Sequence, residues 1–329
     1  MKKHHVYGIG NALVDMEIEV STEFLKENSV EKGLMTLVDQ ERQNELLTQV
    51  KGNIHKRSCG GSAANTIIGA RQLGARTFYS CKVANDETGE FYFSNLVEHG
   101  VQTNLHGERK EGVTGKCMVF ITPDADRTMN TFLGITETFS EEELDFEELK
   151  DSEYLYMEGY LVTSPTGKAA AIKAREFAKE NGVKTALTFS DPGVVGFFKD
   201  GFGEMIGDGI DLLFCNEAEA LSYSGKDNLS EALEELKKVS RQIAITQGPK
   251  GALLWDGEKE IDILTREVEA VDTNGAGDLF AGAFLYGLTH GHTFAESGKL
   301  ACACSSELVT HFGPRLEAGV TTEIYKKLY

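Results

Sequence analysis

"EYLYMEGYLVTSPTGKAAAIKAREFAKENGVKTALTF", residues 153–189, changes its period twice. A strand-like apolar run (EYLYMEGY) gives way to a helical run (TGKAAAIKAREFAKENG) that closes on Asn181-Gly182, and a second strand-like run (VKTALTF) follows. The unit then repeats, with IDLLFCN (210–216) as strand, SEALEELKKVS (230–240) as helix and RQIAIT (241–246) as strand. In that second helix Glu231, Glu234 and Glu235 precede Lys237 and Lys238, the order that the helix dipole prefers. Repeated strand–helix–strand units mean an α/β fold with a parallel sheet covered by helices. Ligands of such sheets bind beyond the carboxyl ends of the strands, so chemistry is expected just after strands.

The N-terminal half reads differently. HVYGIGN (5–11) is a core strand entering a loop, with an acid, Asp15, further on. MEIEV (16–20) and LMTLV (34–38) are strand-like, as are KCMVFIT (116–122) and RTMNTF (127–132), the latter two joined by the turn-rich PDAD (123–126). These segments predict a small β appendage built from two separate stretches, about 12–40 and 105–135, on an α/β domain that spans 1–329.

Composition narrows the function. The chain has 329 residues, enough for one sizeable domain with an appendage. Its 33 basic against 52 acidic residues give a net charge of −19, which argues against nucleic acid as partner, since phosphate backbones require a basic face. No apolar run reaches bilayer-spanning length, and the N-terminal residues lead into a strand-like stretch rather than a signal sequence; a cytoplasmic protein with no membrane partner is expected. The six cysteines show no paired spacing, which predicts buried, reduced thiols.

Four motifs follow strands or open helices. In DTNGAGDLFAGAFLYGLTHG (272–291), Gly275, Ala276, Gly277 and Asp278 form the first turn of a helix, where unpartnered N–H groups and the macrodipole suit a phosphate. A carboxylate favoured at a helix N-terminus is the plain account of Asp278, but it leaves the glycines and Asp272-Thr273 unexplained. In CGGSAANTIIGARQLGA (59–75), Gly60 and Gly61 allow close backbone approach, Ser62 could cap the helix, and Asn65 lies one turn in, able to bond a polyol hydroxyl; an ordinary capped helix is the alternative. In CNEAEA (215–220), Asn216 and Glu219 share a helix face and suit a hydrated Mg²⁺, or else a cap and a solvated charge. In TQGPKGALLWD (246–256), Thr246, Gln247, Gly248 and Gly251 form a turn that a nucleotide could use, or simply a turn at a strand end. The dinucleotide fingerprint fails at Leu13, and the P-loop pattern is absent.

Taken in order, Gly60-Gly61-Ser62-x-x-Asn65, Asn216-x-x-Glu219, Thr246-Gln247-Gly248 and Asp272-Thr273-x-Gly275-Ala276-Gly277-Asp278 resemble the PfkB or ribokinase-like family of carbohydrate and nucleoside kinases. GNALVD (10–15), FLKENSVEKGLMTLVD (24–39) and RTMNTFLG (127–134) look most like its adenosine kinase branch, whereas SDPGVV (190–195) and Ala63-Ala64 depart from it. The resemblance implies a ribokinase-like three-layer α/β fold with a mostly parallel central sheet, and a β-sheet lid made by the appendage. It implies an ATP- and Mg²⁺-dependent kinase, with Asp278 as general base and the N–H groups of Gly275, Ala276 and Gly277 receiving phosphoryl charge. Asn11, Asp15, Gly60, Gly61, Ser62 and Asn65 would hold the acceptor, with Met35 and Leu37 walling a nucleoside base and Arg127 reaching a phosphate. Thr246, Gln247, Gly248, Gly251 and Thr273 would serve ATP, and Asn216 and Glu219 would hold Mg²⁺ through water. A sugar kinase of ribokinase or fructokinase type stays open, as does a non-catalytic nucleoside-binding protein on the same fold. A monovalent cation and the choice between monomer and homodimer are left open as well.

Overall fold

The computed structural model describes residues 2–33, 35–50, 52, 54–124 and 127–329; Leu34, in the LMTLV run, and Ala125-Asp126 of the PDAD turn lie outside the described residues. In chain order the strands are β1 (His4–Ile9), β2 (Leu13–Glu19), β3 (Met35–Leu37), β4 (Ile54–Gly60), β5 (Thr77–Ser80), β6 (Gln102–Thr103) and β7 (Thr114–Ile121). They continue as β8 (Arg127–Gly134), β9 (Ser152–Met157), β10 (Lys184–Thr188), β11 (Ile210–Asn216), β12 (Ser240–Thr246), β13 (Ala252–Trp255) and β14 (Glu260–Ile263). A nine-stranded sheet runs β14-β13-β12-β11-β10-β9-β1-β5-β6, parallel from β12 through β6 and antiparallel at β12/β13 and β13/β14.

Successive side chains of a strand face opposite sides, and here both sides are apolar. Val6, Tyr156, Ala186, Leu212 and Ala244 join one core; Tyr7, Leu155, Leu187, Leu213 and Ile243 join the other. Fully burying a side chain of Val, Leu or Ile size contributes about 1.5–3 kcal/mol, so two filled faces hold the sheet between helices on both sides, the three-layer α/β arrangement that the resemblance implied. Among the described residues no helix is long and apolar enough to cross a membrane.

The helices Ser62–Leu73 and Ala276–Thr289 cross at close range on the first face. The small residues among the large ones in the second helix explain this, because a Cβ on Gly282 would lie 2.4 Å from the carbonyl oxygen of Thr66. That packing brings the N-termini of both helices together at the rim where the parallel strands end. The same rim receives Asn11 after β1, Glu158 after β9, Asn216 at the end of β11 and Thr246 at the end of β12.

The second sheet runs β3-β8-β7-β2-β4. In β2, Val14, Met16 and Ile18 are buried, which leaves Asp15 and Glu17 on the opposite face of the strand. The sheet differs from the two-stretch expectation by β4, whose residues 54–60 pair antiparallel with β2 and run straight into Gly60-Gly61. The IHKRSCG sequence of β4 lacks an apolar alternation, so nothing local marked it as a strand.

Candidate active site

Gly61 opens the Ser62–Leu73 helix with φ +100°, and a Cβ there would meet the Asn11 carbonyl oxygen at 2.2 Å. Gly60 has a different reason: its Cβ would lie 2.3 Å from the Asp15 carboxyl group. The glycine pair therefore seats Asn11 and Asp15 against the helix N-terminus. Ser62 is not the cap that the sequence suggested, because the cap position falls to Gly61. Its hydroxyl instead donates to Asp278 Oδ1 at 2.6 Å, and Asn65 Nδ2 donates to Asp278 Oδ2 at 3.0 Å.

Asp278 lies in the first turn of the Ala276–Thr289 helix, whose cap Gly275 has φ +75° and packs against Pro314. Burial pushes the Asp278 carboxyl up to about 6, while Ser62, Asn65 and Arg315 pull it back. Asp272, at the start of the motif, accepts from the N–H groups of Asn274 (3.0 Å) and Gly313 (2.7 Å) and so shapes the turn. The N–H of Ala276 donates to Thr273 O at 3.2 Å, whereas those of Gly277 and Asp278 meet no acceptor among the described residues. A Cβ on Gly277 would meet nothing within 4 Å. This turn fits a phosphate group, with the N–H of Ala276 less available to it than the sequence suggested.

Behind the turn is a cavity of about 440 Å³ whose lining includes Thr246, Gly248, Gly251, Thr273, Ala276 and Gly277. Val268, Phe280, Cys302 and Val309 give it the apolar walls that a nucleotide base needs, so the residues fit ATP. Gln247 is not among its lining residues; its N–H closes the turn onto Gly251 O at 2.8 Å.

Asn216 and Glu219 form a reciprocal cap. Asn216 Oδ1 accepts from the Glu219 N–H at 2.8 Å, and Glu219 accepts from the Asn216 N–H (3.0 Å) and side chain (2.7 Å). Glu219 is not a solvated charge: it is buried, and burial raises its carboxyl to about 7, with Asp191 and Asp278 adding to the rise. Among the described residues no cluster of three metal-ligating side chains exists. Each Glu219 oxygen keeps a second lone pair, so the pair fits a hydrated Mg²⁺ rather than a stripped ion.

On the acceptor side, burial pushes Asp15 up to about 7, opposed first by Arg315. Asn11 donates through its backbone and side-chain N–H groups to Glu158 Oε1 at 3.2 and 3.1 Å. The sequence reading passed over Glu158 because it placed this residue inside the strand-like run EYLYMEGY, whereas β9 ends at Met157. It is buried, accepts also from the Ala63 N–H at 2.8 Å, and is raised by burial to about 7. Met35 is half-buried and Leu37 is 55% exposed on the outermost strand β3. Arg127, expected to reach a phosphate, is largely buried. It is ion-paired with Asp272 at 2.5 Å and lies 4.0 Å from Glu17, tying the second sheet to the phosphate turn.

A helix N-terminal turn with N–H groups unpaired among the described residues thus lies between an apolar-walled cavity and the buried carboxylates on the Asp15 side, an arrangement that suits phosphoryl transfer from a nucleotide. Residues 34–318 match the pfkB family of carbohydrate kinases, and the chain belongs to that family. It is similar to the adenosine kinase of Sinorhizobium meliloti (32% identity, TM-score 0.90, covering 99% of this chain and 100% of that one). A probable sugar kinase from Rhizobium etli CFN 42 is equally similar (32% identity, TM-score 0.91, 99% of both chains). The adenosine kinase of Saccharomyces cerevisiae is 28% identical over 93% of this chain and 95% of its own. The protein is thus an ATP-dependent kinase of a nucleoside or a sugar, with a small-molecule acceptor.

Proposed function

We propose that the protein transfers the γ-phosphoryl group of ATP to the primary hydroxyl of a nucleoside, adenosine above others, with Asp278 as general base. The observation that carries this reading is the position of Asp278. Ser62 and Asn65 hold it at the start of the Ala276–Thr289 helix, between the nucleotide cavity and the Asp15 side of the cleft. There it takes the hydroxyl proton while the N–H groups of the Gly275-Asp278 turn receive the phosphoryl charge, and such a reaction needs mainly alignment and neutralisation. Asn216 and Glu219 would hold Mg²⁺ through water, and the ion would supply neutralisation of phosphate charge. Asp15 and Asn11 hold the ribose, Met35 and Leu37 stand over the base, and the second sheet closes as a lid that keeps water from competing as acceptor. The Arg127–Asp272 pair gives that lid a direct hold on the phosphate turn.

The nucleoside assignment is tested at Asp15. Loss of a charged hydrogen-bond partner costs roughly 1.5–3 kcal/mol, so Asp15→Ala should lower kcat/KM for adenosine about tenfold to a hundredfold or more. The wild type should lose a similar factor on 2′-deoxyadenosine, and the variant little, because its partner is already gone. Additive losses would remove Asp15 from the ribose, and faster turnover of free ribose than of adenosine would make the protein a sugar kinase.

A further inference from the structure

Arg315 belongs to none of the four motifs. It follows Gly313-Pro314 in a segment without regular structure, yet both sides of it are anchored. Gly313 donates to Asp272, Pro314 packs on Gly275, and Leu316 O accepts from Gln72 Nε2 at 2.9 Å. The guanidinium is thereby delivered to the acceptor side of the cleft. Its Nε and Nη2 both donate to Asn65 Oδ1, at 3.1 and 2.9 Å, its Nη1 points at Cys59 Sγ at 3.4 Å, and Nη2 also bonds the Cys59 carbonyl.

We infer that Arg315 is a positioning residue for phosphoryl transfer: it holds Asn65 in the one orientation that aims the side-chain N–H at Asp278, and it sets a cation against the acceptor-side carboxylates. An asparagine amide has a donor end and an acceptor end. Turning Asn65 over would press its carbonyl oxygen on the Asp278 carboxylate and its NH₂ on the guanidinium, so two repulsive contacts would replace two attractive ones. A planar fork with two donors on one oxygen fixes that choice and its geometry, whereas an ammonium on a flexible stem would favour the same oxygen but hold it less firmly.

The charge acts on the same group. Asp278 is faced by Ser62 and Asn65 from the Ser62–Leu73 helix and by Arg315 from the C-terminal segment. Asp15 from the second sheet, Glu158, Tyr156 and Tyr160 from the end of β9 and beyond, and Glu219 from the start of its helix also sense it electrostatically. Among the described residues Arg315 is the cation that pulls Asp278 down against burial, and together with Arg127 it pulls Asp15 down as well. The inference rests on Asp278 acting as the base.

The test uses the acceptor that the wild type phosphorylates fastest among adenosine, other nucleosides, ribose and fructose, and records kcat against pH for Arg315→Gln, Arg315→Lys, Asn65→Ala and the Gln/Ala double variant. Arg315→Gln should lower kcat about tenfold to a hundredfold and move the acid limb up by about one pH unit, with little change in KM for ATP. Arg315→Lys should keep the limb in place but recover only part of kcat. In the Asn65→Ala background Arg315→Gln should cost little more on the high-pH plateau of kcat, while still moving the acid limb up. An unchanged limb and kcat, a loss confined to the acceptor KM, or additive losses with Asn65→Ala would overturn the inference. If Arg315→Gln fails to fold, the lysine variant decides, since wild-type kcat in it would be contradictory. Asp278→Asn separates the two readings: if it keeps turnover the base assignment fails, and if it loses turnover while Arg315→Gln does not, only Arg315's role fails.

Discussion

The carboxylates around the cleft are set by what lies beside them. Asp15 sits on Gly60, which has no side chain to push it away, and pays for that seat in solvation. Its folded-state carboxyl lies near 7, well above the unfolded value, so between roughly pH 4 and 7 the folded chain holds a proton that the unfolded chain has released. Stability from this group is therefore present at low pH and lost as pH rises through that window. Asp15→Asn, which does not titrate, should gain thermal stability relative to the wild type between pH 5 and pH 8. Melting curves at both pH values check this, and a constant or shrinking difference would contradict it. Asp15 and Asp278 were legible in the sequence because each follows a glycine-marked break. Arg315 was not, because its anchors, Asp272 and Gln72, are distant in sequence and no local pattern announces them.

At the scale of elements, the strand–helix units after residue 150 were legible because both periods were clean, and β10, β11 and β12 fall where they were expected. The early strands were less so. β5 has four residues and β6 has two, too short for a period to register, and β4 pairs with β2 although its sequence carries no apolar alternation. The two glycines of the phosphate turn separate structure from function. Gly275 has a positive φ and Pro314 2.6 Å from its would-be Cβ, so Gly275→Ala should destabilise the fold by more than about 1 kcal/mol. Gly277 has neither constraint, so Gly277→Ala should keep stability within about 0.5 kcal/mol and still lower turnover at least about tenfold, because the methyl enters the space assigned to phosphate. Thermal melts and turnover on both variants test the pair, and a fully active Gly277→Ala would show that no anion comes there.

For the whole molecule, the two-faced sheet supplies a rigid rim, two helix N-termini meet on it, and a second sheet stands over them, joined to the phosphate turn through Arg127 and Asp272. Gly60, Gly61 and Gly275 are accounted for by close packing, and Asp278 is the group on which both sides of the cleft converge. The most direct measurement is phosphorylation of adenosine by Mg²⁺-ATP in the wild type and in Asp278→Asn, with ATP binding followed in parallel. A positioned base contributes roughly 10² to 10⁴ in rate. The account predicts a loss of kcat in that range with ATP affinity and melting temperature retained, and near wild-type turnover by Asp278→Asn would contradict it.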